Sequence, residues 1–125
     1  MKIVFTGANG RFGEIFKKNT KLKNVLYPGK KKLDILNINS INSYLKKHKP
    51  KILIHAAGLS RPMKIHQKDI IQSISKNIIG TCNLVKICSV YKIKVIYLST
   101  NYVYPGNKGS YKEKDPLLPY NNYAW

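Results

Sequence analysis

At 125 residues and 43% apolar composition, the chain is sized for one domain with a genuine core. No run of about 18 apolar residues occurs, which excludes a membrane-spanning helix, and the N-terminus opens on a strand pattern with no signal-peptide architecture, so a cytoplasmic location is expected. The formal charge of +18 raises a nucleic-acid role, yet of the 23 basic residues only Arg11 and Arg61 are arginine; a specific nucleic-acid site calls for arginine forks and stacking aromatics, so the excess reads as a Lys, Ile and Asn bias, leaving salt-sensitive adhesion to polyanions and attraction of an anionic substrate.

Ile3, Val4 and Phe5 form a β-prone apolar run, and Gly7, Gly10 and Gly13 follow at three-residue spacing before a helical pattern begins. A strand, a glycine turn and a helix in that order suit a dinucleotide. Gly7 takes a backbone shape closed to other residues, Gly10 lets a ligand approach the main chain, and Gly13 allows close packing of helix on strand. The helix start favours an anion. An unliganded corner between strand and helix is the plainer alternative.

The first helix is expected over Arg11–Thr20, with Phe12, Ile15 and Phe16 buried. Asn24–Tyr27 reads as a second strand closed by Pro28–Gly29. No acid stands at its end to hold ribose hydroxyls. Arg11 and Lys30–Lys32 could meet a 2′-phosphate instead, which tilts the expectation to NADP over NAD; a solvated turn accounts for the lysine run equally well. Leu33–Ile35 reads as a third, short strand, with Asp34 at an adenine edge or capping the next turn. A helix is expected over Ser40–Lys47, with Ser40 as N-cap.

Lys51–Ala57 is a continuous apolar strand of the kind buried in a parallel sheet. Ala56, Ala57 and Gly58 end it almost without side chains, leaving room for a flat ligand; His55 is expected to be a satisfied core residue. Asp69–Tyr91 is the longest helical pattern, with Ile70, Ile71, Ile74, Ile78, Leu84, Val85 and Cys88 as its apolar stripe. Asn77 interrupts that stripe, either as a solvated amide or as a tie to a site. Cys82 and Cys88 lie about 9 Å apart along this helix, too far for a disulfide, and no metal-ligand spacing occurs. Lys94–Ser99 is the last strand, followed by the hydroxyls of Ser99 and Thr100. Asn107–Trp125 reads as a long loop serving a site. Five strands alternating with helices predict an α/β, Rossmann-like, doubly wound parallel sheet of order 3-2-1-4-5.

Taken in register, TGANGRFG, LDI, HAAG, Asn77–Ile78–Ile79–Gly80–Thr81, YLSTNYVYPG and YKEKDPLLPYNNYAW resemble the extended short-chain dehydrogenase/reductases that act on nucleotide sugars. Within their epimerase/dehydratase group the resemblance is nearest to the dTDP-4-dehydrorhamnose reductases. It implies an NAD(P)-binding domain over residues 1–125. Gly7, Asn9, Gly10, Arg11, Phe12, Gly13, Asp34, Ile35, Ala56, Ala57, Gly58, Asn77 and Ser99 fall at its cofactor positions. Thr100 falls where a hydroxyl bonds the substrate's reacting oxygen, and Tyr123 where a tyrosine exchanges a proton while the nicotinamide exchanges hydride. The family places a lysine four residues after that tyrosine, two beyond Trp125. The chain is therefore expected to be the N-terminal part of a longer protein, truncated before a sixth strand and a substrate domain and nearly inactive alone; the assembly left open for that parent is a homodimer. Asn101, where these reductases usually carry an acid, departs from their pattern. Epimerase, dehydratase and non-catalytic dinucleotide-binding alternatives stay open.

Overall fold

The computed structural model describes residues 1–125. Strands β1 (Ile3–Thr6), β2 (Val25–Leu26), β3 (Ile52–His55) and β4 (Lys94–Tyr97) form one parallel sheet of order β2-β1-β3-β4. Helix α1 (Arg11–Asn19) follows β1, and α2 (Ile38–His48) precedes β3. A short α3 (Ile65–Lys68) leads into α4 (Ile70–Ile74), which continues through a π turn (Ser75–Ile79) into α5 (Gly80–Val90).

The core divides about β1. Val4 faces one side, where Leu53, Ile41 and Leu45 of α2, and Leu84 and Cys88 of α5 are buried together. Ile3 and Phe5 face the other, with Ile54 and the α1 residue Phe16. Phe5 and Phe16 stack at 4.5 Å between ring centroids. Alternation along one strand thus fills both layers, which is why the strand is apolar throughout.

The parallel α/β class is as expected, and the order of the strands present agrees with the expectation. The expected third strand is not there. Around Leu33–Ile35 the backbone is spent on turns: Leu33 N donates to Gly29 O, Leu36 N to an Asp34 carboxylate oxygen, and Asn37 N to Asp34 O. With β2 only two residues long, the sheet ends there; Leu33 still reaches the core as a turn residue, 4% exposed. Asn37 rather than Ser40 caps α2, accepting from Ser40 N at 3.0 Å, while Ser40 Oγ accepts from Asp34 N.

The expected helix from Asp69 is present, capped by the Asp69 carboxylate on Gln72 N at 2.9 Å. Its stripe splits. Leu84 and Cys88 are buried, but Ile70, Ile71, Ile74, Ile78 and Val85 are each at least 40% exposed. The π turn adds a residue and rotates the following face by roughly 100°, so the α4 isoleucines do not extend the α5 stripe. Phe12 and Ile15 of α1 are likewise exposed; Phe16 carries that helix's packing. Both cysteines are free thiols, Cys82 exposed and Cys88 buried. No helix is long and apolar enough to cross a membrane.

Candidate functional site

Register brings the site together. Thr6, His55 and Tyr97 are partners at the carboxyl ends of β1, β3 and β4, so the glycine turn, the Ala56–Gly58 segment and the Ser99–Thr100 segment leave the sheet from one edge. In open parallel sheets that edge takes ligands.

Two clefts lie along it. The smaller, about 280 Å³, is lined by Gly7, Asn9, Gly10, Lys30, Asp34 and Ile35 among others. The larger, about 780 Å³, is lined by Phe12, Asn77, Ser99, Thr100 and Tyr123 among others. Ala57 and Gly58 belong to both, so the clefts meet over the end of β3. Ala56 lines the larger one. Arg11 and Gly13 line neither; Gly13 is buried beneath the turn and Arg11 is exposed. Lys30, not Arg11, is the basic side chain of the smaller cleft from the regions singled out for a 2′-phosphate; Lys76, from the π turn, also lines it.

Each glycine of the turn has a distinct job. Gly7 has φ +79°, and a Cβ there would sit 2.5 Å from the Ala56 carbonyl carbon. A Cβ on Gly13 would sit 2.5 Å from Gly7 O and 2.6 Å from Ala8 Cα. At Gly10 a Cβ would meet only Gly7 O, at 3.3 Å; its other surroundings are the open cleft. No side chain caps α1, and the amides of Arg11, Phe12 and Gly13 have no protein acceptor. These are the free donors an anion needs. The bare turn, the small residues at the end of β3 and Lys30 are all compatible with a phosphorylated dinucleotide.

Asn77 sits in the π turn and clamps one residue: its Oδ1 accepts from Leu59 N, and its Nδ2 donates to Leu59 O at 2.8 Å. This holds the segment after β3 against the helix. Beneath it runs a buried relay. Thr81 Oγ1 donates to Asn77 O at 2.7 Å, which uses its only proton. It therefore accepts from His55 Nε2 at 3.0 Å, leaving His55 Nδ1 to accept from Thr6 Oγ1 at 2.8 Å. His55 is thus neutral and Nε2-protonated, a satisfied core histidine. Burial pulls its pKa from 6.5 to about 4. The unfolded chain protonates first, so stability is full above pH ~6.5 and falls as pH drops toward 4, by about 3 kcal/mol at most. Urea unfolding of the native chain is expected to show that loss, and His55→Gln to flatten it across this window.

Thr100 is half-buried in the larger cleft and caps the short 3-10 turn Asn101–Val103, accepting from Tyr102 N at 3.3 Å. Asp34 caps the turn before α2 through Leu36 N, while also lining the smaller cleft. Residues that the sequence did not single out also converge here. Tyr97, Leu59, Ser73, Thr81 and Trp125 line the larger cleft. Thr81 lies four residues after Asn77 and was legible in principle as the next turn of that face. His66 carries no such signal, because its partners in the site are Asn122 and Tyr123, far along the chain; Ser73 bonds His66 itself.

The profile of the RmlD substrate binding domain matches residues 1–125. The chain belongs to this family. The RmlD-family chain is 32% identical over 121 residues to the GDP-L-colitose synthase of Yersinia pseudotuberculosis, covering 94% of this chain and 39% of that protein. It is 25% identical over 133 residues to methionine adenosyltransferase 2 subunit beta of Pongo abelii, covering 98% and 39%. It superposes on the dTDP-4-dehydrorhamnose reductase of Bacillus anthracis in complex with NADP with a TM-score of 0.87, 28% identity, and coverage of 99% of this chain and 46% of that one. The chain thus spans about two-fifths of the length of these curated relatives, at 39% of each. The expected likeness to extended short-chain dehydrogenase/reductases, and to dTDP-4-dehydrorhamnose reductases among them, holds in both sequence and fold.

Proposed function

We propose that this chain forms the dinucleotide-binding part of an NADP-dependent reductase of a nucleotide-linked sugar, with a 4-keto deoxysugar as the substrate class. The observation that carries the reading is that the cleft of the glycine turn and the cleft of Thr100 and Tyr123 adjoin, with Ala57 and Gly58 lining both. A relative named as a nucleotide-sugar synthase and a neighbour solved with NADP support it.

In this reading Asn9, Gly10 and the free amides of Arg11, Phe12 and Gly13 hold the pyrophosphate. Gly7 and Gly13 shape that turn from beneath. Asp34 and Ile35 flank the adenosine end, with Lys30 on the 2′-phosphate. Ala56, Ala57 and Gly58 leave room for the flat middle of the ligand, and Asn77 holds that segment in place through Leu59. Ser99 and Phe12 border the nicotinamide end. The cofactor, when bound, supplies a hydride. Thr100 donates a hydrogen bond to the substrate's carbonyl oxygen, and Tyr123 delivers the proton that oxygen takes up.

Trp125 is the sole tryptophan and lines the larger cleft, so its fluorescence is a built-in probe. Titrating the chain with NADPH is expected to quench Trp125 emission with energy transfer to the nicotinamide, saturably and at lower concentration than NADH. An unchanged Trp125 signal up to millimolar NADPH would overturn the reading. A second reading, a non-catalytic binding subunit on the same fold, is favoured by the relative named as a subunit of methionine adenosyltransferase. It requires NADPH binding with no dependence of any turnover on Tyr123.

A further inference from the structure

His66 lies outside the cleft lining yet touches its key residue. Its side chain is 1% exposed. The ring packs on Tyr123 at 4.8 Å between centroids, and Tyr102 closes the other contact edge-on at 5.6 Å. The His66 carbonyl accepts from the Asn122 side-chain amide at 3.2 Å. On its own side the ring is pinned by Ser73 Oγ on Nδ1 at 2.7 Å, and Ser73 is itself buried in the wall of α4. The second ring nitrogen, Nε2, is buried without a partner. An unpaired buried polar atom is costly, so packing alone would favour an apolar ring here.

We propose that His66 is a positioning residue for Tyr123: it fixes the phenol in the cleft by ring contact and fixes the neighbouring main chain through Asn122. No secondary structure follows Val103, so Tyr123 stands on an irregular segment that cannot orient it alone. The bond to Ser73 seats the imidazole against α4, and the ring surface held there is what the phenol packs on. The idea rests on the role given to Tyr123 above, and the two fail separately. Turnover that survives Tyr123→Phe would remove the chemistry and leave the contact standing.

The test is tyrosine-ring NMR of the chain. In His66→Ala, the Tyr123 ring signals are expected to move to the positions of a solvated tyrosine. The stacked pair Tyr104 and Tyr111, 4.9 Å apart and remote from His66 in sequence, serves as the internal reference and stays in place. The double variant His66→Phe with Ser73→Ala keeps a ring and removes both polar partners, and is expected to restore the Tyr123 signals. Should His66→Ala fail to fold, Asn122→Ala alters only an exposed side chain and is expected to shift Tyr123 in the same direction. Tyr123 signals unmoved in His66→Ala or in Asn122→Ala, or left displaced in the double variant, would overturn the proposal.

Discussion

In the reductase of which this chain is proposed to form the dinucleotide-binding part, Tyr123→Phe is expected to cut NADPH-dependent turnover of a nucleotide-linked ketosugar by ~10²–10⁴-fold, the span typical for loss of a general acid. Quenching of Trp125 by NADPH is expected to persist unchanged. The phenyl ring that remains still packs against His66 and Tyr102, so only the hydroxyl is lost. The effect therefore belongs in kcat and not in cofactor affinity. Measuring turnover in that reductase and Trp125 quenching in this chain separates the readings above. Turnover retained with the hydroxyl gone takes Tyr123 out of the chemistry. Lost binding would mean that the hydroxyl serves the fold.

The second large effect comes from the glycine turn, where neighbouring substitutions are expected to fail for different reasons. Gly13→Ala puts a methyl 2.5 Å from Gly7 O and 2.6 Å from Ala8 Cα, both backbone atoms. The helix and the turn before it must part, at a cost of about 3 kcal/mol and roughly 10 °C in Tm. At Gly10 an added Cβ meets only Gly7 O, at 3.3 Å. In Gly10→Val the fold yields by a few tenths of an ångström, and Tm is expected to fall by only a few degrees. The isopropyl group instead enters the open cleft where a pyrophosphate would approach the main chain. Trp125 quenching by NADPH is expected to disappear in a protein that still melts cooperatively. Normal NADPH titration of folded Gly10→Val would refute the assignment of the turn. Thermal melts beside the titrations tell the two failures apart.

Local pattern carried the parallel α/β class, the glycine turn between β1 and α1 and the small residues at the end of β3. Apolar runs, helical period and glycine spacing are short-range properties that need no knowledge of neighbours. The roles of Gly7 and Gly13 followed from stereochemistry alone, and φ +79° at the first and a 2.5 Å approach at the second agree with it. His55 was legible as a core residue because a polar side chain in a buried strand must be satisfied. Its two threonine partners were not, since one lies 49 residues away and the other 26.

What the chain's order of residues decided by itself is which pieces it would form: strand, bare turn, helix, and hydroxyls after the last strand. Tertiary structure alone decided three further things. The expected short strand at Leu33–Ile35 became a turn, because the two-residue strand β2 offers it no ladder to join. The π turn took the α4 isoleucines and its own Ile78 out of the stripe, and Ile70, Ile74 and Ile78 now line the cleft. His66 met Tyr123 across 57 positions. Contacts at that separation form only after the sheet has set its register, and register is a property of paired strands, not of any one segment.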